Sequence, residues 1–402
     1  MSVWRAGFGL QPPQLRQLEE DAERHATWLE LFFDLVFVVA VNQLAVKLAK
    51  DTSAAGFARF GGLFVPALWA WVGFTFYANR FDTDDALYRL MKMAAMLGIV
   101  ALAINVPHGT TSHGSVGFAI SFVGVRAVLL ALYARARRHV RGPGRDVVNL
   151  YLAGFSVGTS LWVISLAVPT PARFALWGAG LLVDMLQPPL GWRLLRGAPV
   201  NVPHITERFG QFFIIVLGQA IIGVVAGVAG ISFSGLAITV ATASFAIAAC
   251  LWWIYFDFAD TSVIGRGMLG LVYLYGHFPL LAGVAVMGVG TELAIHGAAA
   301  GHLTGGARWA LSGGIAAYLV SLAVFHLAAE WTTARDRVFV ARLGLAAAAV
   351  VLAAAGGGVA PVVFLVVLAA GVIGLLVLEA LWFPEGAASV YEPEAARHPV
   401  GG

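Results

Sequence analysis

The segment RHATWLELFFDLVFVVAVNQLA (residues 24–45) decides how the chain folds. It is almost wholly apolar and is long enough to cross a bilayer as a helix, yet it contains Glu30 and Asp34. Their four-residue spacing puts both carboxylates on one helix face. Acidic residues inside a membrane helix are rare and mark pairing or functional sites. We therefore predict that this face lies inside a helical bundle rather than against lipid.

The composition of the whole chain predicts an integral membrane protein. Of the 402 residues, 59% are hydrophobic and 12% are charged, whereas an average soluble domain has about 25% charged residues. The single cysteine, Cys250, lies in an apolar run, which excludes a disulfide framework or a thiolate metal cluster. We expect an all-α integral membrane fold.

Twelve apolar segments account for most of the chain after a polar, proline-containing start. The links between them are short and leave no room for a soluble domain. The segments span about residues 28–49, 58–79, 89–107, 114–134, 147–168, 172–191, 207–229, 235–258, 267–290, 308–329, 338–356 and 359–382. This pattern predicts about twelve transmembrane helices between a tail at residues 1–24 and a tail at residues 386–402.

Two motifs give the chain a family resemblance. The first is WLELFFDLVFV (residues 28–38), and the second is HITERFGQFFIIVLGQ (residues 204–219). Both resemble motifs of the bacterial low temperature requirement A (LtrA) family of multi-pass membrane proteins. Where that family's second motif has an acid after Leu-Gly, this chain has Gln219. The resemblance covers most of residues 24–385 and implies a membrane protein without implying a particular chemistry.

The basic residues predict an orientation. If the N-terminus is cytoplasmic, most of the 25 Lys and Arg residues fall in cytoplasmic segments, among them Arg80, Lys92, Arg208 and Arg342. Such a bias orients membrane proteins, so we predict a multi-pass protein of the bacterial cytoplasmic membrane with both termini cytoplasmic. The stretch RARRHVRGPGR (residues 135–145) lies beside a helix end, where anionic lipid headgroups rather than nucleic acid are the expected partner.

The two halves of the chain share a pattern of polar residues. The first and seventh segments have polar residues at the same offsets: Glu30, Asp34 and Asn42 in one, Glu207, Gln211 and Gln219 in the other. WVGFTFYAN (71–79) matches WWIYFDFAD (252–260), and LLVDMLQPP (181–189) matches LVLEALWFP (376–384). Arg126 and His326 precede Arg135 and Arg335 by equal distances.

Because each half has an even number of helices, these matches predict two parallel six-helix repeats, at residues 25–200 and 201–385, related by an axis along the membrane normal.

The candidate site residues are polar or ionisable side chains within the apolar segments. They are Glu30, Asp34, Asn42, Arg126, Asp184, Glu207, Arg208, Gln211, Gln219, Asp260, His326, Glu330 and Glu379. One interpretation is charge neutralisation, in which carboxylates pair with nearby arginines and hold helices together. The other is an inward-facing polar cavity that relays protons or binds a solute. His326 and Glu330 are four residues apart, but with His277 as the one further suitable histidine we expect no metal site.

Three classes of function remain open. The duplication and the polar stripe favour a carrier or channel-like transporter of a small solute or of protons. The alternative is a membrane-embedded enzyme acting on a lipid or isoprenoid substrate by acid–base chemistry. A structural or sensory membrane protein is the third. The sequence has no phosphate loop, dinucleotide fingerprint or Gly-x-Ser-x-Gly element, so we expect no cofactor.

Overall fold

The computed structural model describes residues 12–15, 25–229, 235–259, 261–265, 267–329, 333 and 335–382. Within them the chain is almost entirely helical, which confirms the all-α membrane fold. The twelve long helices are α1 (Trp28–Lys50), α2 (Ala54–Arg80), α3 (Ala86–Asn105), α4 (Gly114–His139), α5 (Pro143–Ser165), α6 (Ala172–Leu190), α7 (Val202–Ala229), α8 (Gly235–Phe258), α9 (Gly270–Ala300), α10 (Gly305–Ala328), α11 (Arg337–Ala355) and α12 (Pro361–Trp382). Each coincides with one of the twelve predicted apolar segments.

Eleven of these helices are long and apolar enough to cross a membrane. Helix α6 falls outside that set. It has 19 residues and includes Arg173, Asp184, Gln187 and two prolines near its end, which lower its mean hydropathy.

Part of the predicted N-terminal tail forms secondary structure. Strand β1 (Gln14–Leu15) pairs antiparallel with strand β2 (Phe81–Asp82), which directly follows α2. A Cβ added to Gly144 would lie 3.0 Å from a methyl carbon of Leu15. Residues 14 and 15 therefore pack against the ends of α2 and α5 rather than extending away from the helices.

The chain divides into two compact units. Unit 1 comprises Met1–Gln43 and Gly62–Arg208, and unit 2 comprises Leu44–Gly61 and Phe209–Gly402. In unit 1 the helices α3 to α6 pack in sequence, each on the next. In unit 2, α9 packs on α10, α10 on α11, and α8 on α12. The six-plus-six repeat stays a prediction.

Helix α1 has one buried and one exposed face. Its exposed large apolar side chains are Trp28, Phe32, Leu35, Val39 and Val46, a spacing that places them along one side of a helix. Its buried side chains include Glu30 and Asp34, which are 2% and 0% exposed, together with Phe33, Phe37, Val41 and Leu44. The acidic face therefore points into the protein, and the outer face is apolar enough for lipid.

Four basic residues that the sequence assigned to cytoplasmic segments are buried within helices. Arg80, Lys92, Arg208 and Arg342 are buried side chains within α2, α3, α7 and α11. A charge inside a membrane helix must be paired or solvated by polar groups. Arg80 Nε donates to the carbonyl oxygen of Ala198 at 3.3 Å, and the partners of the other three are described below. The orientation is better argued from the exposed basic residues between α4 and α5.

Small residues bring α9 and α10 close together in unit 2. A Cβ on Gly314 would lie 2.5 Å from the carbonyl oxygen of Gly283, and a Cβ on Gly283 would lie 2.6 Å from the carbonyl oxygen of Gly314. Only glycine allows the two backbones this approach, as is common between membrane helices.

Candidate functional site

Asp34 is the anion at the centre of a buried polar cluster in unit 1. Its two carboxylate oxygens accept hydrogen bonds from Arg208 Nη1 and Nη2 at 2.7 and 2.6 Å. Trp71 of α2 donates a third, from Nε1 to Oδ1, at 2.7 Å. Two parallel bonds from one guanidinium fix both the position and the plane of a carboxylate. Arg208 and Trp71 therefore hold the Asp34 carboxylate in one position and orientation.

Glu30 lies one turn before Asp34 and has a different kind of partner. Its Oε2 accepts hydrogen bonds from the backbone N–H and the hydroxyl of Thr27, at 2.8 and 3.0 Å, as expected at a helix start. Its Oε1 lies 3.4 Å from Nε2 of His204, in the first turn of α7. The His204 side chain is fully buried and that of Glu30 is 3% exposed, so water is largely excluded from this pair.

Asn79 fixes the protonation state of His204. The backbone N–H of Asn201 donates to Asn79 Oδ1 at 3.0 Å, and Asn79 Nδ2 donates to the Asn201 carbonyl at 2.9 Å. The amide nitrogen of Asn79 is thereby identified, and it lies 3.0 Å from His204 Nδ1. Since an amide N–H can only donate, Nδ1 must accept. The proton of neutral His204 is then on Nε2, facing Glu30.

Lys92 of α3 completes the charge balance of this cluster. It is 1% exposed, and its ammonium nitrogen lies 3.4 Å from the ring centroid of Phe33 and 5.0 Å from that of Phe74. An ammonium over an aromatic face is stabilised by the ring quadrupole. When Lys92 is protonated, it and Arg208 match the charges of Glu30 and Asp34, and the cluster is then neutral if His204 is neutral. We call the six residues Glu30, Asp34, Asn79, Lys92, His204 and Arg208 the unit 1 cluster.

A second ion pair in unit 1 joins Arg126 of α4 to Asp184 of α6, with Nη2 and Oδ2 2.6 Å apart and both side chains at most 2% exposed. The guanidinium also lies 4.2 Å from the ring centroid of Phe155. A Cβ on Gly158 of α5 would collide with the Asp184 carboxylate. Glycine at this position therefore makes room for the acid.

The Asp34–Arg208 and Asp184–Arg126 pairs lie on opposite sides of α2. Trp71 bonds Asp34, whereas a Cβ on Gly73 would lie 3.8 Å from Arg126 Nη1. Residues two apart on a helix point about 200° apart. Asp184 is thus paired separately and is not a member of the unit 1 cluster.

In unit 2, Glu379 of α12 forms a bidentate pair with Arg342 of α11, at 2.7 and 2.8 Å. The same guanidinium donates to the carbonyl oxygens of Leu322 and Phe258 at 3.0 and 2.8 Å. Both charged side chains are fully buried. Arg342 therefore ties α8, α10, α11 and α12 together.

Two histidines of unit 2 have distinct surroundings. His277 Nδ1 lies 2.6 Å from the Tyr273 carbonyl and Nε2 lies 2.8 Å from the Tyr255 hydroxyl. Nδ1 must donate to the carbonyl, so Nε2 accepts from Tyr255.

His326, at the end of α10, lies 3.0 Å from Asp336. Burial acts to raise the pKa of the Asp336 carboxyl, but His326 and the backbone N–H groups of Val338 and Phe339 outweigh it and lower that pKa below its usual value.

The remaining predicted site residues lie apart from these pairs. Glu207 is 32% exposed and binds the backbone N–H of Ala26, so it does not share the buried environment of Glu30. Asn42 is half-buried, just over two turns beyond Asp34. In unit 2, Gln211 is half-buried and Gln219 is buried with an Oε1 that has no hydrogen-bond partner. Asp260 and Glu330 lie outside the described residues.

Several residues of these sites were not among the sequence candidates. Lys92 and Arg342 are single cations inside apolar runs, a signal that was assigned to helix ends instead. His204 appeared only as the first residue of the second family motif. Asn79 and Trp71 were noted only as parts of a repeat. Among the described residues, no group of three or more His, Cys, Asp and Glu side chains is arranged to hold a metal ion.

Comparison with known proteins decides the family. The family model described as Bacterial low temperature requirement A protein (LtrA) matches residues 25–377. The chain belongs to the LtrA family. This LtrA protein is also 29% identical over 311 residues to an uncharacterized protein of Rhizobium meliloti (strain 1021), an alignment that covers 68% of the chain and 74% of the relative. The unit 1 cluster lies within the span that the family model matches.

Proposed function

We propose that this multi-pass membrane protein is a carrier of protons, or of a small solute coupled to protons, and that Glu30 and His204 form its proton site. The observation that supports this proposal is the 3.4 Å contact between Glu30 Oε1 and the protonated nitrogen of His204 inside membrane-spanning helices. A buried carboxylate beside a neutral imidazole N–H can take up an incoming proton and release it again, while the imidazole keeps its own proton.

The other buried carboxylates are less suited to this role. Asp34, Asp184 and Glu379 are each bonded to an arginine. A guanidinium keeps its proton at physiological pH, so each of these acids has a charged hydrogen-bond donor as its partner and serves as a helix contact. Asp34, Asp184 and Glu379 therefore fit the interpretation of charge neutralisation. Glu30 differs from them because its partner is a histidine, not an arginine.

We also propose that the protein lies in the bacterial cytoplasmic membrane with both termini cytoplasmic, and that its helices form two parallel six-helix repeats. The repeat is supported by Asp184 and Glu379, which occupy matching motif positions and each bind an arginine within their own unit. The arginines come from non-equivalent helices, α4 and α11, so any duplication has diverged at the cations.

The test is proton flux into sealed proteoliposomes that contain an interior pH dye, under an imposed potential. Wild-type protein is compared with Glu30→Gln, which keeps the hydrogen bonds from Thr27 but cannot ionise. Asp84→Asn is the control, because Asp84 belongs to an exposed pair with Arg89. We expect flux in the wild type and in Asp84→Asn, and a loss of flux in Glu30→Gln.

Equal flux in Glu30→Gln and wild type would remove Glu30 from the mechanism. Folded wild-type protein without flux would contradict the proton carrier. The lipid-modifying enzyme would then be tested by extracting lipids after incubation with detergent-solubilised protein.

A further inference from the structure

A groove lies between α3 and α4 in unit 1, where the start of one helix meets the end of the other. Leu87 and Met91 of α3 line one side, and Ala131 and Ala134 of α4 line the other. Leu87 and Met91 are one turn apart, as are the two alanines, so each pair presents one helix face to the groove. The small alanine side chains leave an open apolar trough.

The groove ends in basic side chains. Arg138 continues the alanine face of α4, one turn beyond Ala134, and His139 follows it; both are exposed. Arg135 also lines the groove, but it forms a two-bond pair with Asp85, at 3.1 and 2.5 Å, and its side chain is 13% exposed. Its charge is therefore already matched, and Arg138 and His139 remain to meet an anion. None of the described residues that line the groove is acidic.

We propose that this groove is a binding site for one anionic phospholipid, whose phosphate contacts Arg138 and His139 and whose acyl chain lies between α3 and α4. From Ala131 to Arg138 the groove runs about 10 Å along the helix, so it offers an apolar surface as well as a charge. A free phosphate would use only the cations. Basic pockets between membrane helices bind anionic lipid headgroups in this way. The proposal does not depend on the carrier function.

The experiment measures lipid binding to purified full-length protein by native mass spectrometry, with phosphatidylglycerol and phosphatidylcholine as the two probes. The variant is Arg138→Gln. The matched control is Arg145→Gln, which removes the same charge from the same basic stretch at an exposed residue outside the groove. We expect tighter binding of phosphatidylglycerol than of phosphatidylcholine, and roughly five-fold weaker phosphatidylglycerol binding for Arg138→Gln only.

A second variant, Ala134→Phe, fills the trough without changing the charge. We expect it to weaken phosphatidylglycerol binding, and we expect inorganic phosphate at equal concentration to compete poorly. Unfolding temperatures without added lipid check that each variant is folded. If Arg138→Gln and Arg145→Gln lose phosphatidylglycerol binding equally, the proposal is overturned, because the lipid is then attracted to the basic stretch as a whole. Equal binding of both lipids, or an unaffected Ala134→Phe together with full competition by phosphate, would also overturn it.

Discussion

At the scale of single residues, the Asp34–Arg208 pair is the strongest test of what holds unit 1 together. Arg208→Gln leaves a carboxylate buried with Trp71 as its remaining donor, and Asp34→Asn leaves a buried guanidinium. We expect each single change to destabilise the protein by roughly 3–5 kcal/mol, because breaking one side of a buried pair leaves an uncompensated charge. Thermal unfolding in detergent measures the loss.

The double variant Asp34→Asn/Arg208→Gln is expected to be less destabilised than the sum of the singles, since neither charge is then left alone. The control is the same cycle on Asp84 and Arg89, whose side chains are 62% and 49% exposed; an exposed pair contributes less than about 1 kcal/mol. Additive losses at Asp34 and Arg208 would show that the pair is not coupled.

The sequence predicted some of these contacts and not others, for physical reasons. Acids within an apolar helix must face the interior, which was enough to place Glu30 and Asp34. Arg342 was missed because a cation in the second turn of a helix looks like a loop charge in sequence, and its partner is 37 residues away. Glu207 has the motif position of Glu30 but is 32% exposed; burial depends on neighbouring helices, which spacing along one helix does not reveal.

At the scale of helices, the length of each apolar segment predicted that a helix forms there, but it predicted the first and last residues of the helix less well. Helix α7 begins at Val202, five residues before its apolar segment, because Pro203 is tolerated in a first turn. Helix α9 continues ten residues past its predicted end, through Glu292 and His296. It stops at Gly301, whose φ of 80° is the left-handed conformation that closes many helices.

Two adjacent glycines of α10 test the close contact with α9. Gly314→Ala places a Cβ 2.5 Å from the Gly283 carbonyl oxygen and 2.7 Å from the Met287 nitrogen, whereas a Cβ on Gly313 meets nothing within 4 Å. We expect Gly314→Ala to lower the unfolding temperature, and Gly313→Ala to leave it unchanged or to raise it, since alanine favours a helix by up to about 1 kcal/mol. If both variants behave alike, the helices are not in backbone contact at this point.

At the scale of the whole molecule, the orientation is tested at the two ends of α4. The exposed residues Arg138, Arg141 and Arg145 favour a cytoplasmic α4–α5 connection, and we predict that orientation. Replacing the single cysteine by Cys250→Ser gives a background for labelling. In that background we expect an impermeant maleimide to react with Arg141→Cys in inside-out vesicles, and with Thr111→Cys, at the opposite end of α4, in right-side-out cells. The reverse pattern would invert the topology.

The hydrogen bonds of Asn79 fix the order of donors and acceptors in the unit 1 cluster. In a chain of hydrogen bonds each member donates one way and accepts the other. Here the Asn201 N–H donates to Asn79, Asn79 donates to Nδ1 of His204, and the Nε2 proton of His204 faces Glu30 at 3.4 Å. Exchanging the amide NH₂ of Asn79 for a carboxylate oxygen would reverse the Asn79–His204 bond, because Nδ1 of His204 would then have to donate. A single atom of Asn79 therefore sets which nitrogen of the neutral His204 imidazole carries the proton.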